Sequence, residues 1–346
     1  MKKKVAVVLF NLGGPEKLSD VKSFLFSLFY DKNIICIINP FRFLIAKLIA
    51  YYREKSAIKI YKKLTNEKSP LLEETNLQAV TLEKYLNFNQ NNNIYKVFVC
   101  MRHTKPCAKT IVSSVINFLP HKIILLPLYP QYSSTTTLSS IKDWHYHISK
   151  SKHQFPTKII CCYYNNSYYI KAYCQLIHKE YTRAITIHNS PRILFSAHSL
   201  PISIVKKGDP YHKQIQYSAS MIVKTLNIKS LDWIVCYQSK IGYLKWLEPC
   251  TKSEILRAQQ DNVPIIIVPI SFVSENSETL FELDIEYRSL LPQTLYFRVP
   301  TLKINKLFIQ CLKDLCTNNQ TQHSQLQCSN NYKMCWHNMQ EKIIKL

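Results

Sequence analysis

Eight short runs of β-branched and apolar residues punctuate this chain, at 5–10, 96–100, 122–126, 158–162, 192–196, 232–237, 264–270 and 294–299. Most are apolar without a break, which is the pattern of strands buried on both faces of a parallel sheet. Between them lie stretches of helical period, among them 71–86, 105–118 and 210–226. Strand and helix alternate, so the chain reads as α/β. With 346 residues it is long enough for two domains of ordinary size. A polar stretch near 150–157 is expected to divide it into two doubly wound units with parallel sheets, 1–152 and 153–303, four strands in each. A helix at about 304–316 and a Gln- and Asn-rich tail make up the remainder, 304–346. Open sheets of this kind bind their ligands at the carboxyl ends of the strands.

Several functional classes drop out. There are four glycines, and neither G-x-G-x-x-G nor GK[ST] occurs, so dinucleotide and P-loop chemistry are not expected. The net charge is +23, from 45 Lys and Arg against 22 Asp and Glu. Such a surface attracts polyanions, anionic lipid or acidic small molecules. The cations are scattered and no zinc finger or RNP-like motif is present, so nucleic acid is not expected as a partner. The opening VAVVLF is followed by NLGGPE instead of a small-residue cleavage site, and it reads as a first strand. No run of 18 uncharged apolar residues predicts a membrane span. The 12 cysteines lack a regular framework, and free thiols in a cytoplasmic protein are expected.

Two features stand out as chemistry. His198 lies just past the run 192–196, at its carboxyl end, where an imidazole can act on a bound ligand or merely cap a loop. The stretch 274–287 holds Glu275, Glu278, Glu282, Asp284 and Glu286 in a strongly basic chain. Glu278, Glu282 and Glu286 are spaced by four, so on a helix they form one stripe, with Glu275 one turn earlier. The stripe is either a solvated face or a ladder for protons and hard cations. Arg53, Tyr61 and Ser69, on and after a helical stretch at 41–64, supply donors for carboxylates. The same stretch mixes cations into FRFLIAKLIAYY and suits a membrane surface, a greasy pocket or a core helix. Cys311, Cys316, Cys328 and Cys335 sit close in sequence without C-x-x-C pairing, so an iron–sulfur cluster is not expected.

Six segments then combine in order. NLGGPE at 11–16, YPQYS at 129–133, LFSAHSLP at 194–201, GDPY at 208–211, YQSK-IG at 237–242 and SETLFELDIEY at 277–287 resemble the motifs of ferrochelatases. Those enzymes insert ferrous iron into a porphyrin to make haem. The resemblance implies two Rossmann-like domains, with the C-terminal helix packing back on the first. It implies that His198 and Glu278 are catalytic, and that His198, Glu278, Glu275, Glu282 and Glu286 handle metal or protons. It places Arg53, Tyr61 and Ser69 near the porphyrin propionates. Leu12, Arg102, His103, Tyr129, Gln238 and Trp246 are expected along the macrocycle pocket. Departures exist: His103 and Lys105 stand at the family's tyrosine and histidine positions, Glu67-Lys68 replaces a glycine pair, and Asn276 replaces a histidine. Ser134 stands where cluster-bearing animal-type members have cysteine.

The implied reaction suits these residue types. A histidine of reference pKa ~6.5 can accept a pyrrole proton near neutrality. Protoporphyrin IX and Fe2+ are the expected substrates, with no resident cofactor. Attachment to the anionic inner face of a membrane is expected to be peripheral. A carrier of tetrapyrrole or metal that binds without turnover is the alternative of a different class.

Overall fold

The computed structural model describes residues 2–88, 92–188, 190–318, 332–336 and 338–339. Strand β1 (Lys3–Asn11) is central in the first sheet. It pairs in parallel with β2 (Asn93–Met101) and β3 (Lys122–Pro127), and β4 (Thr157–Ile159) pairs with β3. The second sheet repeats the plan. There β5 (Arg192–His198) lies between β6 (Trp233–Gln238) and β7 (Ile265–Pro269), with β8 (Tyr296–Arg298) outside β7. The strand orders are β2-β1-β3-β4 and β6-β5-β7-β8. Every pairing is parallel, as the unbroken apolar runs require.

The expected boundary at 152/153 is corrected by β4. Its pairing with β3 carries the first sheet to Ile159. The polar stretch at 150–157 is therefore a surface connection from α5 (Thr137–Ile148) to an edge strand, not a linker between domains.

Successive side chains of a strand point to opposite faces, and both faces here are covered. On β1, Val5, Val7 and Leu9 belong to a core that runs through α3 (Leu71–Asn87), α6 (Ser167–Ile185) and α10 (Lys306–Thr317) to Phe195 and Val268 of the second sheet. Ala6, Val8 and Phe10 face outward against α4 (Ala108–Phe118) and Trp144 of α5. Helix α10 buries Phe308, Ile309 and Leu312, and packs on both α3 and α6, so it joins the layers between the sheets. Asn305 caps it, accepting from the N–H groups of Leu307 and Phe308. Its Cys311 and Cys316 are buried, whereas Cys335 lies beside Tyr132, where Cys161 and Cys162 also sit. Cys328 is outside the described residues.

Helices α1 (Val21–Phe29) and α2 (Phe41–Lys62) pack on each other in a separate cluster that also takes in Leu280 and Phe281. On α2 only Ala46, Ala50 and Tyr61 are buried, so it is not a core helix. Leu44, Leu48, Tyr51 and Tyr52 are exposed. No helix among the described residues is long and apolar enough to cross a membrane.

Candidate active site

His198 is the last residue of β5. Its backbone is held on both sides: its N–H donates to Ser271 Oγ (3.1 Å) and its carbonyl accepts from Tyr211 Oη (3.0 Å). The ring is aimed by Glu278, whose Oε2 lies 2.8 Å from Nδ1. A carboxylate at Nδ1 leaves Nε2 as the acceptor of the neutral ring. Burial works against a charged imidazole, but the charge and hydrogen bond of Glu278, with the charge of Glu282, outweigh it and raise the His198 pKa above the ordinary value. Burial likewise opposes ionisation of Glu278. There the His198 charge and hydrogen bond and the Ser239 hydroxyl prevail, and the carboxyl is held below its usual range.

Glu278 opens a ten-residue π-helix, Glu278–Tyr287. The four-residue spacing of the acids reads as an α-helix in the sequence; the chain instead winds with i→i+5 bonds, a rare form frequent at functional sites. Asn276 Oδ1 receives the first N–H groups, from Glu278 (2.8 Å) and Thr279 (3.1 Å). At the family's histidine position this chain thus has a helix cap. Ser239, just beyond β6, joins the acids. Its hydroxyl reaches Glu278 Oε2 (2.7 Å) and Glu282 Oε2 (2.5 Å), and its N–H donates to Glu282 Oε1 (2.9 Å). Tyr287 Oη donates to the same Glu282 Oε1 (2.6 Å). Burial and the neighbouring Glu278 charge raise the Glu282 pKa despite these donors. His198, Glu278, Ser239, Glu282 and Tyr287 thereby form one continuous hydrogen-bonded row.

The structure separates the rest of the acidic stripe from this row. Glu275 lies before the π-helix, not on it. It is buried and bound to Arg298 Nη1 (2.8 Å) and the Thr301 N–H (3.2 Å). Arg298 also holds Asp284 through two contacts of 2.9 and 2.6 Å. Glu275 is thus part of a buried ion-pair clamp that fixes the π-helix to β8, set apart from the His198 row. Glu286 is exposed and lies outside the row. Among the described residues no three His, Cys, Asp or Glu side chains are arranged to hold a metal ion. The five residues expected to handle metal do not form one cage.

The expected porphyrin contacts divide in the same way. Arg53 is half-buried on α2 with its guanidinium over the Phe29 ring, and it has no ion pair among the described residues. Tyr61 ends the same helix, and its hydroxyl reaches Ser277 Oγ (3.4 Å), beside Glu278. Burial raises its pKa to about 12, so it stays a neutral donor. Leu12 and Trp246 are partly exposed, and the Trp246 indole N–H donates to the Ile241 carbonyl (3.1 Å), closing the loop after β6. Tyr129 is partly exposed while its hydroxyl is buried.

Three of the expected contacts are buried. His103 has a fully buried ring between Ser27 (3.3 Å) and Asp31, and burial together with the Arg102 charge lowers its pKa to about 3, so it is a neutral core residue. Gln238 is buried and accepts from Ser196 Oγ (2.6 Å) under the sheet end. Ser69 is buried against Gly14, where a Cβ would collide with its hydroxyl, so this pair requires a glycine. Arg102 is partly accessible but already engaged, with Asp31 (3.0 Å) and Ser139 (2.7 Å). Ser239 went unassigned in the sequence. The signal for it was the one that found His198, a polar residue at the carboxyl end of a buried strand.

A ferrochelatase family model matches residues 4–320. A curated ferrochelatase from Wolbachia sp. subsp. Drosophila simulans is 56% identical over 315 residues, covering 91% of this chain and 99% of that one. The ferrochelatase of Rickettsia typhi is 45% identical over 339 residues, covering 97% and 96%. Among solved structures, the sirohydrochlorin chelatase SirB from Bacillus subtilis subspecies spizizenii in complex with cobalt aligns with a TM-score of 0.52 at 11% identity, over 93% of this chain and 98% of that one. SirB from Bacillus subtilis with Fe3+ aligns with a TM-score of 0.51 at 10% identity, over 92% and 98%. These two likenesses concern the fold alone. The match along nearly the whole chain, at this level of identity, makes the chain a member of the ferrochelatase family.

Proposed function

We propose that this chain inserts Fe2+ into protoporphyrin IX to form protohaem. The observation that carries the reading is the His198–Glu278 pair, 2.8 Å apart, at the carboxyl end of the central strand of the second sheet. A free-base porphyrin holds two pyrrole protons in a flat ring. One Fe2+ enters, two protons leave and no electron is transferred, so the reaction needs no resident cofactor. His198 Nε2 accepts a pyrrole proton, and the positive charge that forms on the ring lies against the Glu278 carboxylate. Ser239 links that carboxylate to Glu282, whose raised pKa suits it to hold a proton on the way out. Arg53 and Tyr61 supply donors for the propionates, Arg53 as a cation with no competing acid. Leu12, Tyr129 and Trp246 supply walls for the macrocycle. Iron and acid-labile sulfide in the purified protein would overturn the cofactor-free part.

The substrate and product partition into lipid, and the exposed apolar residues and cations of α2 support peripheral attachment of a cytoplasmic protein to an anionic membrane surface. Anaerobic incubation with Fe2+ and protoporphyrin, followed by absorbance, tests the activity. His198→Ala is expected to abolish insertion and to leave porphyrin affinity within about twofold of wild type, since the ring is held by walls and propionate donors. Loss of porphyrin binding together with activity would make His198 structural.

A further inference from the structure

A cavity of about 390 Å3 lies away from the active site, between the loop joining α1 to α2, helix α5, the short helix α7 (Ile202–Lys206) and Met334. Its lining carries four cations, Lys32, Arg42, Lys142 and Lys207, and no acid. None of the four is ion-paired among the described residues. The nearby carboxylate, Asp31, is already taken by Arg102 and Ser139. Burial and the charge of Lys32 lower the pKa of Lys142 against the opposing charge of Asp31, so these two lysines feel each other. Arg42 is held in place over the Tyr30 ring and through the Ile37 carbonyl (2.7 Å), yet its Nε is buried without a hydrogen-bond partner. A fixed cation with an unmet donor, set among three unpaired lysines, is built for an oxyanion.

The shape narrows the ligand. The cavity holds far more than a bare phosphate, since a water molecule takes ~30 Å3. Ile204 and Met334 make part of its wall apolar. Ile38, also on its lining, is 74% exposed, and the chain continues directly into the exposed Phe41, Leu44 and Leu48 of α2. Cations beside an outward apolar stripe match the boundary between headgroups and acyl chains. We infer that this cavity takes the phosphate-bearing headgroup of an anionic phospholipid while α2 lies against the acyl region. The inference rests on the membrane attachment proposed above and assigns it a stoichiometric site.

The test uses the full chain and dihexanoyl phosphatidylglycerol below its micelle concentration, with binding followed by calorimetry. Two double variants are compared: Lys142→Gln/Lys207→Gln in the cavity, and Lys171→Gln/Lys179→Gln on the exposed side of α6 with the same loss of charge. One lipid should bind per chain. The cavity variant should bind about 30-fold more weakly, about fivefold for each cation lost, and the α6 variant should bind as wild type. Equal weakening in both variants would reduce the effect to diffuse surface charge. Inorganic phosphate binding as tightly as the lipid would make the cavity a plain oxyanion site, and no binding at all would remove it. Each of these outcomes overturns the inference. Iron insertion into detergent-solubilised porphyrin should be unchanged in both variants. Failure of that assay in the wild type would strike the proposed reaction and leave the lipid result readable.

Discussion

A neutral His198 can take a pyrrole proton, and a protonated one cannot. Glu278 raises the His198 pKa against the effect of burial, so kcat/KM for iron insertion should climb with pH through a midpoint above ~6.5. In Glu278→Gln the raising partner is gone and burial remains, so the midpoint should drop as the rate falls. An unmoved midpoint would mean that another group titrates. The same pair has a signature in stability. The raised His198 contributes fully below its unfolded pKa of ~6.5, and that contribution is lost as pH rises through the folded value. The lowered Glu278 contributes above its unfolded ~4.3, and that contribution is lost as pH falls through the folded value. Between these limits wild type should exceed Glu278→Gln in melting temperature by the largest margin. Ser239 sits at the junction of the row in a left-handed conformation, φ +61°, which aims both its N–H and its hydroxyl at the carboxylates.

Along the π-helix, equal spacing in sequence does not mean equal function. Glu282 is tied into the row, and Glu286 is exposed beyond it. Glu282→Gln keeps size and hydrogen bonding but cannot release a proton near neutrality. It should slow turnover about tenfold or more at unchanged porphyrin affinity, within the range of a lost proton-transfer group. Glu286→Gln should stay near wild type. Equal effects in single-turnover assays would return both residues to a simple charged surface. The turn before α3 offers a second test. Asn66 and Glu67 hold φ +66° and +50° where the family has a glycine pair nearby, so the backbone keeps a glycine-like path without the glycine. A left-handed non-glycine residue costs ~1 kcal/mol, and Glu67→Gly should raise stability by about that amount in urea titration.

The two sheets are held as one body by contacts that cross between them. Gln78 of α3 donates to the carbonyls of Val273 (3.2 Å) and Lys303 (3.0 Å) and accepts from Ser274 Oγ (3.0 Å). Glu74, one turn earlier, accepts from the Glu275 N–H (2.7 Å) and pairs with Lys303 (3.0 Å). These bonds fasten the first layer to the segment that leads into the π-helix. Gln78→Met preserves volume but leaves three partners unmet, two of them buried, so it should cost ~2–3 kcal/mol. A loss under 1 kcal/mol by urea unfolding would show that water or side-chain repacking satisfies them. Tyr169 and Tyr173 of α6 make the same kind of tie within the second half, to the carbonyls of Ile270 (2.9 Å) and Pro269 (3.0 Å).

The layout of this protein was legible in its chain, because parallel strands covered on both faces leave unbroken apolar runs that no other arrangement tolerates as well. His198, Glu278 and Glu282 also stood out in the sequence by position and spacing, whereas the roles of Arg53 and Tyr61, which lie outside the six motifs, came from the family resemblance. Residue order could not assign β4, since a three-residue edge strand is decided by the partner it finds across the sheet. Nor could it tell buried from accessible. His103 and Gln238 sit at strand ends like His198, yet packing closes over both. Glu275 looks like its neighbours until Arg298 approaches from a strand 23 residues later and neutralises it. Charge, spacing and residue type are local properties. Whether a carboxylate becomes a clamp, a relay or a solvated end depends on the groups that the fold brings to it, and those come from elsewhere in the chain.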